Sequence, residues 1–436
     1  MGTAAPSASS GQARLSVERG STSLASLRGI IKLVMATQKS MLQHLSWDPR
    51  YGVSAIEDVL TPALVLYPDA IQANIEATLR LLSGDASRWR VHIKTAKLDY
   101  TLRMLLARGV RNFKCATTLE LLIACRAGAA DILFAYPAMG ANARRARELA
   151  QQFPDVRISV LAENDEQIEQ WRGSSVGIFL DINPGMNRTG IDQSDTNKVT
   201  ELAPTIKKSG LEFRGLHYYD GQFASSPEPE RTQAAHRGYD ELLKIAGELL
   251  RSGTNVPEII TAGTPTFPCS LSYENFRRGS FIHRVSPGTV VYCDATSLQQ
   301  LPAEYGYQPG ALVLTRVVSH PHHGMITCDA GHKTVSADAG VPTCVVLGHE
   351  DLTPLSPSEE HLPMAVREGG KTPRNKTPRI GEVLYLLPRH VCPTVNNFDD
   401  ALLVRNGNIE SIEIVSARGR EAPLPQGAHQ VLPVGS

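Results

Sequence analysis

Short apolar runs alternate with stretches of helical periodicity between residues 61 and 263. Eight apolar runs occupy residues 63–67, 90–94, 112–116, 131–136, 156–162, 176–182, 212–219 and 258–263. The intervening stretches, such as 98–109 and 118–128, repeat apolar residues at helical spacing, and the second ends on Gly128, as a C-terminal cap does. Strands alternating with helices predict parallel pairing, and eight such units predict a (β/α)8 TIM-type barrel. A doubly wound open sheet is the alternative, but no GxGxxG motif follows the first run.

Beyond about residue 285 the pattern changes to short β-like runs separated by Gly, Pro and Asn, without a long helical stretch. This pattern predicts a separate antiparallel β-domain. We therefore expect an N-terminal extension (1–50), a barrel (51–285) and a C-terminal β-domain (286–436). The basic stretch 364–379 is predicted to be an exposed loop.

The N-terminal extension differs in composition from the rest of the chain. Its first 20 residues are small and polar, which predicts disorder, and residues 24–44 form a candidate amphipathic helix. A Ser-rich, basic segment with few acidic residues is compatible with an organelle-targeting peptide. We favour the alternative, an extension that packs on the body of the protein or on a partner subunit.

Charge and cysteine content narrow the class of partner. The 436 residues carry 44 Lys and Arg against 44 Asp and Glu, so no net charge favours nucleic acid or an anionic membrane. There is no run of about 18 apolar residues that would span a membrane. The seven cysteines are scattered without C-x-x-C spacing, which favours a reducing compartment over a disulfide framework. We therefore expect a cytoplasmic protein with a small-molecule partner.

Lys94 and the pair formed by His390 and Cys392 carry candidate chemistry. Lys94 ends the second apolar run, and the C-terminal ends of barrel strands form the active-site mouth. A lysine among apolar neighbours there is able to form a Schiff base, although a surface lysine is the alternative from position alone. His390 and Cys392 lie two residues apart in a segment that we predict to be extended, so their side chains should point the same way. Imidazole and thiolate are both zinc ligands, and two ligands leave coordination positions open for substrate.

Three further polar clusters fall at predicted strand ends. They are residues 181–190 with Arg188, residues 215–221 with Tyr219, and residues 261–266 with Gly263 and Thr264. Small and hydroxyl-bearing residues at a strand end bind phosphate through N–H and O–H groups. A lysine, an arginine, a tyrosine and a phosphate loop around one barrel mouth suit pyridoxal phosphate.

As a set, these motifs resemble the D-serine dehydratase/D-threonine aldolase family, which has the alanine-racemase-like fold (type III) of pyridoxal enzymes and is activated by a metal. The motifs are T-P-A (61–63), H-x-K-T-x-K (92–97), D-x-N-x-G-x-x-R-x-G (181–190), G-L-x-x-Y-x-G (215–221), C-D-A-G-H-K (328–333), S-E-E-H (358–361) and the stretch 388–396. They follow the order of the family, and the resemblance covers roughly residues 58–405.

The resemblance implies a role for each motif residue. Lys94 would bind pyridoxal 5′-phosphate covalently and, once freed, take the α-proton, and Tyr219 would lie against the cofactor near the reacting centre. The other implied contacts are His92 and Arg188 with the cofactor (Arg188 at its phenolic oxygen), Gly263 and Thr264 with its phosphate, and His390 and Cys392 with a divalent metal. The thiolate favours zinc, with manganese or magnesium as alternatives. His361 is either a group beside the metal and substrate or an ordinary loop histidine.

The resemblance also implies a lyase that acts on a D-configured β-hydroxy amino acid. We predict β-elimination to a keto acid and ammonia, of the D-serine dehydratase type, because dehydratase-like members tend to carry H-x-C where aldolase members carry Asp. The alternative is D-threonine aldolase-type cleavage to glycine and an aldehyde. An amino-acid racemase and a non-catalytic pyridoxal-phosphate-binding protein are more remote alternatives. A head-to-tail homodimer is implied as well, and it would explain how Lys94 meets His390; contact within one chain is the alternative.

Val91, Pro265 and Arg389 depart from the usual residues of the family. Pro265 interrupts the phosphate loop and removes one N–H donor. None of the three replaces Lys94 or the metal pair, so we expect altered substrate choice and retained activity.

Overall fold

The structure is a computed structural model that describes residues 45–367 and 377–424. Strands alternate with helices in the first part of the chain, and short strands dominate the second part. The strands are β1 Ala63–Leu66, β2 Arg90–His92, β3 Asn112–Cys115, β4 Asp131–Phe134, β5 Arg157–Ala162, β6 Gly177–Asn183, β7 Ile191–Asp192, β8 Phe213–Tyr218, β9 Glu258–Thr261, β10 Ile282–Val285, β11 Ala311–His322, β12 Met325–Cys328, β13 Cys344–Val346, β14 Leu352–Pro354, β15 Leu362–Val366, β16 Val383–Pro388, β17 Asp400–Arg405 and β18 Asn408–Ile414. The helices are α1 Pro68–Leu81, α2 Asp99–Ala107, α3 Thr118–Ala127, α4 Gly140–Gln152, α5 Asp165–Glu169, α6 Thr196–Lys208, α7 Glu230–Arg251, α8 Phe267–Ser272, α9 Ala295–Gln300 and α10 Val391–Val395.

Eight parallel strands form a nearly closed barrel in the order β2-β3-β4-β5-β6-β8-β9-β10. A single parallel bridge between Trp89 and Val285 brings the last strand back beside the first. The crossover helices lie between consecutive strands, as the alternating pattern predicted. The predicted (β/α)8 barrel is therefore confirmed.

One strand of the predicted barrel was assigned wrongly. The run 63–67 contains β1, which pairs with β11 antiparallel and with β17 parallel, so it belongs to the other sheet. The eighth barrel strand is β10, which the sequence pattern did not mark. A buried strand in either sheet reads as the same short apolar run, and periodicity does not reveal the partner strand. The sequence pattern does not predict β10, because the buried polar residues His283 and Arg284 interrupt its run of apolar residues.

The helix that follows β3 shows how local sequence defines its ends. The side chain of Thr117 accepts a hydrogen bond from the backbone N–H of Glu120 and so caps the start of α3. Gly128 adopts φ +94° at the other end, a conformation that glycine reaches without steric cost. The predicted cap at Gly128 is confirmed.

The second sheet is predominantly antiparallel and has the path β14-β15-β12-β11-β1-β17-β18, with β16 pairing both β11 and β13. The predicted C-terminal antiparallel sheet is thus present, with β1 added from the N-terminal side. The predicted exposed loop at 364–379 is wrong at its start, because Met364 and Val366 belong to β15. Residues 368–376 of this basic stretch and residues 1–44 of the N-terminal extension lie outside the described residues. Among the described residues, no helix has both the length and the apolar character needed to cross a membrane.

Charged side chains close the N-terminal end of the barrel. Arg90 and Arg214 are almost fully buried, and each places a guanidinium nitrogen 2.7 Å from a different oxygen of Asp131. Arg90 also binds Glu258 at 2.9 Å, and Arg284 pairs with the same carboxylate. Because two strands separate β4 from β8 on one side of the ring and four on the other, the Arg214–Asp131 contact crosses the barrel interior.

An apolar layer lies next to the charged layer. Both buried guanidinium groups approach the ring of Phe179, at 5.8 and 5.6 Å from its centroid. Phe179 packs with Leu133, Leu161 and Ile260 in one buried cluster. Leu133 and Ile260 each stand two residues beyond a charged residue of the same strand, so their side chains point to the same face. Side chains therefore fill the interior of the barrel as far as its C-terminal mouth.

Replacing Asp131 by Asn should lower the free energy of unfolding by about 3–5 kcal/mol, because it leaves two buried arginines short of negative charge. Denaturant titration measures the effect. Glu169→Gln is the matched control, because Glu169 pairs with Arg172 where both side chains are more than half exposed, and its loss should leave the free energy of unfolding nearly unchanged. Equal effects of the two substitutions would contradict the buried-network interpretation.

The difference between Asp131→Asn and the parent protein should also depend on pH. Burial opposes ionisation of Asp131, but Arg90 and Arg214 outweigh burial and hold its pKa below the ordinary value. A carboxyl group with a depressed pKa contributes its stability above the unfolded pKa of about 4 and loses it as pH falls further. We therefore expect the stability difference between the two proteins to narrow as the pH is lowered below about 4.

Candidate active site

Lys94 lies just beyond β2, at the C-terminal end of the first barrel strand, where it borders a cavity of about 850 Å³ that includes space open to solvent. An adjoining, smaller cavity shares four of its lining residues, including Lys94. All eight residues predicted from sequence line these two cavities: His92, Lys94 and Tyr219 line both, Arg188 lines the smaller, and Gly263, Thr264, His390 and Cys392 line the larger. Their individual roles stay predictions, but the fold brings them to one barrel mouth.

The ring of Tyr219 occupies a space that two glycines leave open. A Cβ atom on Gly263 would lie 2.9 Å from Cε2 of this ring, and one on Gly221 would also collide with it. The guanidinium carbon of Arg188 lies 5.1 Å from the ring centroid, and the amine of Lys114 lies 5.7 Å from it. The ring is thus held between close backbone and two cations, which are attracted to its π face.

Two buried hydroxyl groups in the larger cavity lack a partner. Oγ1 of Thr264 and Oγ of Ser286 make no hydrogen bond among the described residues. Gly263 and Gly288 line the same part of the cavity, and a side chain on Gly288 would collide with the carbonyl oxygen of His92. Buried polar atoms without partners are rare in folded proteins, and here they point to a bound group that is rich in acceptors. Free hydroxyl donors beside glycine backbone fit the phosphate of pyridoxal phosphate.

A hydrogen-bonded row of buried polar groups crosses the smaller cavity. The amine of Lys114 lies 2.8 Å from Nε2 of His217, and Nδ1 of His217 lies 2.7 Å from Oδ1 of Asp181. The hydroxyl of Thr189 donates to the other oxygen of Asp181 at 2.8 Å. Burial, followed by the charge of Lys94, lowers the pKa of Lys114 to about 7. Burial, followed by the charge of Lys114, lowers the pKa of His217 to about 4.

His390 and Cys392 lie at the start of a short helix, which corrects the prediction of an extended segment. His390 is the N-cap of α10 in an extended conformation, while Cys392 is already inside the helix. Asp294 accepts a hydrogen bond from the N–H of Val391 at 2.9 Å, and the hydroxyl of Thr394 donates to the carbonyl of His390 at 2.9 Å. These contacts favour the helical turn over continuation of β16. The imidazole and the thiol nevertheless remain close enough to share a hydrogen bond.

The surroundings of the pair suit a metal ligand set. Nδ1 of His390 lies 2.6 Å from Oδ2 of Asp338, an arrangement that leaves the other ring nitrogen available to a metal. Burial opposes ionisation of Cys392, but contact with His390 lowers the pKa of its thiol overall. No group of three or more His, Cys, Asp or Glu residues forms a metal site within residues 45–367 and 377–424. A metal held by this pair would therefore keep positions open for substrate.

The lysine segment and the metal pair touch within one chain. Oγ1 of Thr95, the residue after Lys94, lies 2.8 Å from the sulfur of Cys392, and Oγ1 of Thr289 lies 3.5 Å from it. Lys94 and His390 therefore line one cavity within a single chain, which is the intrachain alternative, and the homodimer stays a prediction. His361 is exposed and lines neither of the two cavities.

Sequence reasoning missed several polar residues of the site. Lys114 stands inside the apolar run 112–116, and a charged residue within a buried barrel strand is a signal that could have found it. Ser286 follows the barrel strand that the pattern did not mark. Asp294 and Asp338 lie in connecting segments without a recognisable spacing, and only the fold brings them to His390 and its neighbour Val391.

Comparisons with known proteins agree with this architecture. The family model "Alanine racemase, N-terminal domain" matches residues 66–295, more than half of the chain, and the model "Putative serine dehydratase domain" matches residues 310–404. The D-threonine aldolase of Arthrobacter sp is 27% identical over 375 residues, which are 82% of this chain and 93% of that protein. The D-threo-3-hydroxyaspartate dehydratase of Delftia sp. (strain HT23) is 23% identical over 373 residues, which are 81% of this chain and 96% of that protein. The crystal structure of D-threonine aldolase from Filomicrobium marinum superposes with a TM-score of 0.75 at 26% identity and covers 84% of this chain and 97% of that one.

Replacing Asp338 by Asn should weaken zinc binding about 10- to 100-fold, because the carboxylate orients His390 and increases the basicity of its ring. Calorimetric titration of the purified protein with Zn²⁺ measures the affinity, with His390→Ala as the reference for a lost site. Asp399→Asn is the matched control, since Asp399 pairs with Arg418 at the surface and should leave the affinity unchanged. Unaltered affinity in Asp338→Asn would show that this carboxylate does not support the metal ligand.

Proposed function

The chain belongs to the alanine racemase N-terminal domain family, and we propose that it is a pyridoxal-phosphate- and metal-dependent lyase of D-configured β-hydroxy amino acids. The observation that carries the proposal is that Lys94 and the pair His390–Cys392 line one cavity. A lysine suited to remove a proton from Cα and a ligand pair suited to a Lewis acid thus face the same substrate space. A racemase has no evident use for the second of these groups.

The residues of the cavity fit the cofactor. Lys94 would hold it covalently, the free hydroxyls of Thr264 and Ser286 would bind its phosphate, and Arg188 would contact its phenolic oxygen. Tyr219 would pack against it, since two glycines leave room for the ring. When bound, pyridoxal phosphate supplies an electron sink for negative charge at Cα of the substrate.

Different side chains would act at the two reacting carbons of the substrate, Cα and Cβ. The amine of Lys94 would take the proton from Cα, and the threonines beside Cys392 would keep the thiolate in place. His390 and Cys392 would hold a divalent metal, which supplies Lewis acidity for the β-hydroxyl group. The thiolate favours zinc for this position, with manganese or magnesium as alternatives.

We propose β-elimination to a keto acid and ammonia as the main reaction, because the second metal ligand is Cys392. This sequence resembles dehydratase members of the family at that position, where aldolase members carry Asp. Retro-aldol cleavage to glycine and an aldehyde is the second candidate, and the higher identity to D-threonine aldolase supports it. We further propose a cytoplasmic location and a head-to-tail homodimer. Light scattering of the purified protein tests whether it is a dimer.

Product analysis tests the proposal directly. The protein, loaded with pyridoxal phosphate and Zn²⁺, should convert D-serine or D-threo-3-hydroxyaspartate to a keto acid and ammonia, and chelation of the metal should abolish turnover. Lys94→Ala and Cys392→Ala should each lower kcat/KM by at least about 100-fold, since each removes a group that acts on a reacting carbon.

The alternative products separate the candidates. Glycine and an aldehyde from D-threonine, without keto acid from any of the substrates, would replace the dehydratase by the aldolase. Full activity in the presence of chelator would refute the role of His390 and Cys392. Interconversion of D and L amino acids as the main reaction would refute the lyase proposal altogether.

A further inference from the structure

Lys114 is a buried amine at the barrel mouth that the proposed reaction does not use. It belongs to β3, whereas its partner His217 belongs to β8, and these strands lie on opposite sides of the barrel. The row formed by Lys114, His217 and Asp181 therefore spans the interior from wall to wall. All three residues are at most 5% exposed, so the row closes the inner end of the cavities that Lys94 borders.

The hydrogen bonds of the row define where its protons lie. With its pKa lowered to about 4, His217 is neutral near pH 7. Its Nδ1–H then donates to Asp181, and its Nε2 accepts from the amine of Lys114. One N–H of Lys114 is thus used inside the row, and the rest of the amine faces the two cavities.

Lys114 is surrounded by more positive than negative charge. The charged and titratable groups that act on it are Lys94, Arg90, Arg188, His92, His217, Tyr219, Asp181 and Asp220. Asp181 and Asp220 are the carboxyl groups among them and favour the protonated amine, while burial and Lys94 favour the neutral amine. With Lys94 as a free amine, burial and the surrounding positive charge lower the pKa of Lys114 to about 7.

We propose that Lys114 is a positioning residue that presents its amine to the ring of the bound cofactor, held in place by His217 and Asp181. The proposal rests on the proposed function, because it requires pyridoxal phosphate at Lys94. Lys94 and Arg188 would have other partners on the cofactor, and Lys114 is the other lysine that lines both cavities. A charge at this place alters the electron-withdrawing strength of the ring, and it does so without contact with the substrate.

The absorption and fluorescence of the bound cofactor report its electronic state, so a pH titration of the loaded protein between pH 6 and 8.5 tests the proposal. The parent protein should show a spectral transition at or above pH 7, because the covalent bond to the cofactor removes the free Lys94 amine whose charge helps to lower the pKa of Lys114. Lys114→Met should remain in the high-pH form across this range, because it carries no charge. Lys114→Arg should remain in the low-pH form, because arginine stays protonated. Asp181→Asn should move the midpoint down by about one pH unit, because it removes the carboxylate that favours the protonated amine.

A purely structural role for Lys114 would not produce opposite fixed forms in the Met and Arg variants. Zn²⁺ affinity, measured by calorimetry, serves as the control for intact folding and should stay within about twofold of the parent value in each variant. A transition with an unchanged midpoint in Lys114→Met overturns the proposal, as does the absence of any transition in the parent protein. Failure of the parent protein to bind pyridoxal phosphate overturns the proposed function as well, and this outcome is distinct from the others.

Discussion

The charged layer at the N-terminal end of the barrel is the interaction on which the rest of the structure depends. Arg90 and Arg214 share Asp131 across the interior, and Arg90 and Arg284 share Glu258. These residues come from five of the eight barrel strands, so their pairing ties the register of those strands to one another. A slip of one residue in any of them would turn its charge to the opposite face, away from its partners. The same register carries His92, Lys114 and His217 to the mouth.

The two ends of the barrel satisfy their polar groups differently. At the closed end, every buried guanidinium has a carboxylate partner within the network. At the mouth, Lys94, Arg188 and Asp181 surround Lys114, and the hydroxyls of Thr264 and Ser286 have no hydrogen-bond partner among the described residues. Buried polar atoms without hydrogen-bond partners occur at functional sites more often than elsewhere in folded proteins. The excess of donors and positive charge at the mouth suits an anionic cofactor and an amino-acid carboxylate.

The contact between the two sheets assembles the site. Thr95 beside Lys94 reaches the sulfur of Cys392, and Asp294 holds the backbone N–H of Val391. Each of these hydrogen bonds joins the barrel side to the segment that follows β16. Lewis acidity at Cβ and a base at Cα act on one substrate only if the distance between them is maintained. The bonds of Thr95 and Asp294 would therefore matter for the proposed reaction, although neither side chain is proposed to react.

The sequence by itself determined the barrel class, the position of Lys94 at a strand end and the candidate pair His390–Cys392, because alternation of strands with helices and motif spacing are local properties of the chain. It did not determine that β1 belongs to the second sheet and that β10 is the eighth barrel strand. A short apolar run is compatible with either sheet, and its periodicity does not show which strand it pairs with. Nor did it reveal that Lys114 meets His217 across the barrel, or that Asp338 supports His390. Those pairs join residues on different strands and loops, and only the closure of the barrel and the packing of the second sheet bring their side chains within hydrogen-bonding distance.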